Sequence, residues 1–280
     1  MTRAIVETLR TLHGGAKTQD HGGVLVLANA WDALSARLVE EEGAAAIATG
    51  SAAVAWARGY RDGEDLPLEE LVGAARSIAR VAKPAVTVDF ERGYAAEPAL
   101  VASNVARLVD VGVAGINLED EAKSADLLGE KIAAVRRRFG ADIFINARTC
   151  VVLHGKVDQT QGVEEVLARA RVFAEAGADG LFVPGLVDRA AIQAVARGTS
   201  LPLNVMLFPG LPTLTELASL GVRRLSIGPW LAELAYASAR RAARALLRDG
   251  SYDAIFGGSP LAYPEVNALF PAAPTPTEQS

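Results

Sequence analysis

One local pattern recurs along this chain and limits what it can fold into. The segments "EEGAAAIATG", "DVGVAGINLED", "EAGADGLFVPG" and "SLGVRRLSIGP" each close a helical stretch with a glycine: Gly43, Gly112, Gly177 and Gly221. Each then runs through a short apolar stretch to a polar or glycine-rich end. Glycine after a helix takes the left-handed cap conformation at little cost, and the chain then passes straight into a buried strand.

Strands of a second kind lie between these copies: "KPAVTVDF", "GADIFINAR" and "LPLNVMLFP". Pro84 and Pro202 stand just before two of them, where a missing N–H is tolerated. With "GVLVLANA" at the start the count is eight strands, and 68–81, 98–111, 163–176 and 231–248 carry a helical pattern between them. Strand–helix alternation with nearly continuous apolar strands predicts a parallel sheet closed as a (β/α)8 barrel. A doubly wound open sheet would place a phosphate-binding glycine fingerprint after its first strand, and "LANAWDALS" has none.

The 280 residues suit a single barrel, expected over 1–256, with "MTRAIVETLRTLHGG" as an amphipathic helix ahead of it. Residues 257–280 are Pro-rich and are expected to form an extended, partly disordered tail. The N-terminal stretch lacks the apolar core and cleavage site of a secretory signal. No apolar run approaches the roughly 18 residues of a spanning helix. The net charge is −5 with both signs spread along the chain and no basic block, which argues against a nucleic-acid partner. A single cysteine, Cys150, leaves no intrachain disulfide or cysteine-based zinc site and suits a reducing cytoplasm.

In such a barrel the chemistry sits where the strands end. Those ends carry Asn29, Trp31 and Asp32, then "TGSAA" with Asp62 in the loop beyond it. Asp89 and Glu91 follow, then Asn117, Glu119 and Asp120, then Asn146, Arg148 and Cys150, and finally Asn204, Ser226, Gly228 and Trp230. Side chains alternate along a strand, so Asp89 and Glu91 can point one way, as can Asn117 with Glu119 and Arg148 with Cys150. Carboxylates converging on one mouth repel and raise one another's pKa values, and a hard divalent cation relieves this. The expected ion is Mg2+, with Mn2+ able to replace it.

A lone acid at a strand end is more often a helix N-cap, and Asp32 and Asp120 are read so. Arg148, facing inward, needs an anion: a substrate carboxylate held bidentately, Glu119, or both. Backbone amides at Gly50, Ser51 and Ala52 could cradle a carboxylate. His13 and His21 precede the first strand and His154 lies in a loop, so no histidine is a strong catalytic candidate. Cys150 is read as a small core residue.

The motifs "VDFERGY", "GINLED", "NART" and "GADGLFVPG", in this order, resemble the isocitrate lyase / phosphoenolpyruvate mutase superfamily over nearly the whole chain. The resemblance implies a barrel whose last helix packs on a neighbouring subunit, in dimers or dimers of dimers, and substrates that are 2-oxo acids or compounds cleaved to them. It implies Asp89 as the direct metal ligand, with Asp62, Glu91 and Glu119 holding the metal's waters. Gly50, Ser51 and Ala52 would bind the oxo-acid carboxylate, with Asn204 among the substrate contacts. Arg148 would touch the substrate and stabilise an enolate oxygen, with Glu119 beside it in the catalytic group.

The chain departs from that pattern in three places. Glu91 replaces the second acid of an Asp-x-Asp pair, and Cys150 replaces the Asp after "NART". Where family lyases insert a gating loop with a catalytic cysteine, "LEDEAKSADLLGEK" passes almost directly into the next helix, and Lys123 or another loop would have to substitute. The expected activity is a Mg2+-dependent carbon–carbon lyase of the isocitrate or methylisocitrate type. The alternatives are a 2-oxo-acid decarboxylase, a carbon–phosphorus enzyme of the phosphonopyruvate type, or a non-catalytic 2-oxo-acid-binding barrel.

Overall fold

The computed structural model describes residues 2–15 and 22–270. His21 and the tail beyond residue 270 lie outside them. The order begins α1 (Thr2–His13), β1 (Leu25–Leu27), α2 (Ala33–Glu41), β2 (Ala46–Ala48), α3 (Ser51–Trp56), α4 (Leu68–Val81) and β3 (Ala85–Asp89). It continues with α5 (Pro98–Val109), β4 (Gly115–Glu119), α6 (Ala125–Phe139), β5 (Phe144–Arg148), α7 (Val163–Glu175) and β6 (Gly180–Phe182). Then come α8 (Arg189–Gly198), β7 (Leu203–Met206), α9 (Leu214–Leu220), β8 (Val222–Ser226), α10 (Trp230–Arg244), α11 (Asp253–Phe256) and α12 (Tyr263–Ala268).

The eight strands form one parallel sheet in the order β1-β8-β7-β6-β5-β4-β3-β2. An isolated parallel bridge between Ala30 and Thr49 brings its two ends together. Asn29 reinforces the closure: its amide donates to the Thr49 carbonyl at 2.8 Å, and its Oδ1 accepts from the N–H groups of Ile227 and Gly228 at 2.9 Å each. This is the (β/α)8 barrel, and the open-sheet alternative falls. The four repeat glycines have φ of 87°, 97°, 98° and 96°, the left-handed geometry that the pattern requires.

Alternation along β3, β4 and β5 sorts the barrel interior into layers. Ala85, Gly115 and Phe144 lie at the bottom, Thr87, Asn117 and Asn146 in the middle, and Asp89, Glu119 and Arg148 at the top. The bottom layer is sealed by α1, whose Val6, Leu9 and Leu12 pack with Leu25, Leu27, Ala46, Ala48, Ala85 and Phe144. Gly115 makes room for this plug, since a Cβ there would stand 3.0 Å from a Leu9 methyl. The outward faces (Val86, Val88, Ile116, Leu118, Ile145, Leu181, Val205) join the helices in the larger apolar core. Burial on both faces explains the near-continuous apolar strands.

The chain divides into two compact units, Met1–Ala232 and Glu233–Ser280. In the second, α10 runs on into a five-residue π-helical turn, Ala245–Asp249, followed by α11 and α12. The expectation of an extended tail is corrected over its described part: Tyr263–Ala268 is helical, with Pro264 in its first turn, where a missing N–H costs nothing. Among the described residues no helix is long and apolar enough to cross a membrane.

Candidate active site

The top layer and the loops above it form the site. Asp89, on β3, is 8% exposed, and Glu91, two residues on, is 7% exposed. Glu91 holds φ of 49°, a left-handed conformation that is unfavourable for a side chain with a Cβ. Glu64, Tyr94, Glu121 and Ala122, in the surrounding loops, share this feature with φ between 50° and 66°. Such strain clusters where a surrounding structure over-determines the backbone.

Glu119 and Arg148 stand opposite one another across β4 and β5, with Nε 2.9 Å from Oε2. Arg148 also reaches Asp89, its Nη1 donating to Oδ2 at 3.4 Å, and its guanidinium lies 5.5 Å from the Phe182 ring centroid. Burial opposes its charge, but Glu119, Cys150 and Asp89 outweigh burial and hold it firmly protonated. Burial first, then Asp89, Asp62 and other carboxylates push Glu91 up to about 8. Burial raises Glu119 to about 7 against the pull of Arg148. Asp62, on the loop between α3 and α4, is raised by burial of its carboxyl and by Asp89, with Ser51 opposing. Four acids therefore share one field.

One buried oxygen in this cluster, Asp89 Oδ1, has no hydrogen-bond partner. An orphaned carboxylate oxygen among mutually repelling acids fits a cation site. Among the described residues no three metal-type side chains converge closely enough to ligate one ion together. With Asp89 as a single direct carboxylate, the donors present fit an ion that keeps most of its waters, the habit of Mg2+.

Ser51 and Ala52 sit in the first turn of α3, with Gly50 as its N-cap, so their amides open a short helix rather than line a loop. Asn204 is fully buried inside the barrel, its amide 3.3 Å from Ser226 Oγ, in the middle layer beneath the acids. Asp32 is the expected N-cap, accepting from Ser35 N at 2.7 Å. Asp120 is not. Ser124 caps α6, while Asp120 accepts from the N–H groups of Ala122 and Cys150 at 2.7 and 3.0 Å and pairs with Arg169 at 2.7 Å. It ties β4 to β5 and α7.

Cys150 is fully buried with Sγ 3.6 Å from Glu119 Oε2, and burial pushes its thiol up, so it stays protonated. Lys123 is an exposed surface partner of Glu121. His154 is exposed, and His13 is buried in α1 at the opposite end of the barrel.

Several residues went unnoticed in the sequence. Glu64 accepts from the N–H groups of Arg92 and Tyr94 at 2.9 Å each and from Arg92 Nε at 3.0 Å, so it pins the loop that carries Glu91. Lys131 of α6 donates to the Arg92 carbonyl at 2.7 Å. Arg224 is fully buried in the middle layer, donating to Ser226 Oγ at 3.2 Å and Asn117 Oδ1 at 3.3 Å, and burial pulls it down to about 9. Only Arg224 carried a signal, being two residues before Ser226 and so on the same strand face.

Residues 16–247 match the model of the phosphoenolpyruvate phosphomutase family. The chain belongs to that family, and its homologues are lyases and mutases, which makes it an enzyme. It is 38% identical to an uncharacterized protein of Mycobacterium tuberculosis over 81% of this chain and 86% of that one. It is 33% identical to an oxaloacetate decarboxylase of Ectopseudomonas mendocina over 70% of each chain. Among solved structures it resembles 2,3-dimethylmalate lyase, a member of the phosphoenolpyruvate mutase/isocitrate lyase superfamily, at a TM-score of 0.79 and 25% identity, covering 95% of this chain and 94% of that one.

Proposed function

We propose that this protein is a Mg2+-dependent carbon–carbon lyase that acts on, or releases, a 2-oxo acid by way of an enolate. One observation carries this: the unpartnered, buried Asp89 Oδ1 within a carboxylate cluster that also holds Arg148. Asp89 would ligate the ion directly, and Asp62, Glu91 and Glu119 would hold its waters. Mn2+ would serve in its place. When bound, the metal supplies Lewis-acid polarisation of the substrate's keto oxygen.

The chain's own groups do the rest. Arg148, with a permanent charge and a planar fork, receives the substrate carboxylate or the developing enolate oxygen. Glu119 balances the guanidinium's charge, and the first-turn amides after Gly50 would face the carboxylate end. The strained loop around Glu91 sets the acids before substrate arrives.

Within this class, decarboxylation of a 2-oxo diacid is favoured over retro-aldol cleavage by the short β4–α6 connection. Only Asp120–Ser124 separates the two elements, with no cysteine or histidine in it. Carbon dioxide leaves without a base to deprotonate a hydroxyl, so that chemistry makes fewer demands on a missing loop. The relative named an oxaloacetate decarboxylase points the same way.

The test is incubation of purified protein and Mg2+ with oxaloacetate, isocitrate, methylisocitrate and phosphonopyruvate while 2-oxo acid products are followed. Metal-dependent release of a 2-oxo acid by carbon–carbon cleavage is expected. Turnover of phosphonopyruvate alone would move the protein to carbon–phosphorus chemistry. Tight Mg2+-dependent binding without turnover of any substrate would make it a binding barrel.

The working form would be a cytoplasmic homo-oligomer, a dimer or dimer of dimers, in which the helix after β8 packs on a second copy. An apolar groove of about 310 Å3 lies over β1, lined by Val26, Leu38, Val39 and Leu231. Leu247, Phe256 and Tyr263 are more than 70% exposed, at 82%, 73% and 80%. Light scattering that gave a monomer would remove this part of the proposal.

A further inference from the structure

A cavity adjoins the acids. It has a volume of about 430 Å3 and runs from Glu119 and Asp120 outward between the β3–α5 loop and the start of α6. Pockets that enclose drug-sized ligands fall in the range of roughly 300–1,000 Å3, so this space exceeds what oxaloacetate needs. Its walls are mostly hydrocarbon: Tyr94, Ala95, Ala96, Leu127 and Leu128.

The charges along it are unevenly compensated. Arg92 is paired with Glu64 and Glu121, Lys123 with Glu121, Asp120 with Arg169 and Glu119 with Arg148. Lys131 differs. It is 5% exposed, and among the described residues no carboxylate lies within ion-pair distance of its Nζ, which donates to the Arg92 carbonyl. Burial works against its charge and Glu64, beyond ion-pair distance, supports it; an ammonium has three donors, so Lys131 has hydrogens to spare for a closer anion.

We propose that this cavity is a subsite for the distal arm of the substrate, an apolar chain of several carbons ending in an anion that Lys131 receives. The protein would thus prefer 2-oxo acids longer than oxaloacetate with a negative far end. This rests on the metal and oxo-acid reading of the neighbouring acids. The oxo end would lie at Asp89 and Arg148, and Glu119, which lines the cavity and touches Arg148, marks where the arm leaves them. Hydrocarbon walls favour the chain, and the buried ammonium favours a carboxylate over a methyl terminus.

Calorimetry in the presence of Mg2+ tests the subsite with three probes: oxalate, which fits only the oxo-acid end, 2-oxohexanoate, and 2-oxoadipate, which has the same length and a terminal carboxylate. The native protein should bind 2-oxoadipate about tenfold more tightly than 2-oxohexanoate. Lys131→Met should abolish that difference and leave oxalate binding in place. Ala95→Phe, which fills the cavity without touching Lys131, should weaken both long acids about tenfold relative to oxalate, and it decides the matter alone should Lys131→Met fail to fold. Oxalate binding with no preference between the long acids, or a preference that survives Lys131→Met, overturns the subsite only. Failure of oxalate to bind with Mg2+ overturns the metal-site reading and the subsite with it.

Discussion

Arg148 Nε lies 2.9 Å from Glu119 Oε2, yet it makes no hydrogen bond, because the N–H is not aimed at that oxygen. The two are neighbours as charges more than as a locked pair, which leaves part of the guanidinium fork for another acceptor. Arg148→Lys keeps the charge and loses the fork, so 2-oxo acid binding should weaken by about 1–3 kcal/mol. Titration of oxalate into the variant and the native protein checks this. Equal affinities would make Arg148 a structural counter-ion for Glu119 and Asp89.

Asp89→Ala removes the one buried carboxylate oxygen among the described residues that lacks a partner. It also removes a negative charge that helps push Glu91 and Glu119 upward. Mg2+ binding should be lost while the folded state is kept, with a melting temperature equal to or above the native one, since repulsion among the remaining acids falls. Unchanged Mg2+ affinity would place the ion elsewhere.

The strands and the rim were legible before the structure for one physical reason: period-two alternation in a buried parallel strand fixes which residues face the lumen. "AVTVD", "GINLE" and "FINAR" give the top layer directly, with Asp89, Glu119 and Arg148 two residues above Thr87, Asn117 and Asn146. Loop geometry was not legible. Glu64 reaches Arg92 across 28 residues, and Lys131 reaches the same residue across 39, contacts that no local spacing encodes. Asp120 was misread as a cap because a strand-end acid before a helix looks the same whether it bonds forward or sideways. The true cap, Ser124, lies four residues further on. Arg224 could have been placed in the lumen by its register with Ser226, but an arginine there runs against the usual exposure of charge.

Glu64 should be a keystone for the loop that presents Glu91. Its carboxylate takes three hydrogen bonds, two from backbone N–H groups and one from the Arg92 guanidinium, while only 13% of the side chain is exposed. Glu64→Ala should cost about 1–3 kcal/mol in urea unfolding, because it leaves part-buried donors without their acceptor. It should also lower Mg2+ affinity without removing a ligand. Stability and metal binding within error of native would mean that the strained φ values at Glu91 and Tyr94 are held by other contacts.

The plug helix offers a test far from the site. His13 is 1% exposed, donates through Nδ1–H to the Leu9 carbonyl at 2.7 Å and stacks on Phe144 with ring centroids 4.1 Å apart. Burial, with the nearby charge of Arg224, holds it neutral by pulling its pKa from 6.5 to about 3. Between these values the unfolded chain binds a proton that the folded protein does not, so acid favours unfolding. Stability should therefore be intact above about pH 6.5 and fall with acid, approaching about 1.4 kcal/mol per pH unit from this residue in the middle of the window. His13→Phe keeps an aromatic ring against Phe144 and cannot take up the proton. Urea unfolding at a series of pH values should show a shallower acid loss for the variant, whatever its stability at neutral pH. Parallel curves would mean that His13 is protonated as readily in the folded barrel as in the unfolded chain, and the seal that α1 makes would be wetter than its packing implies.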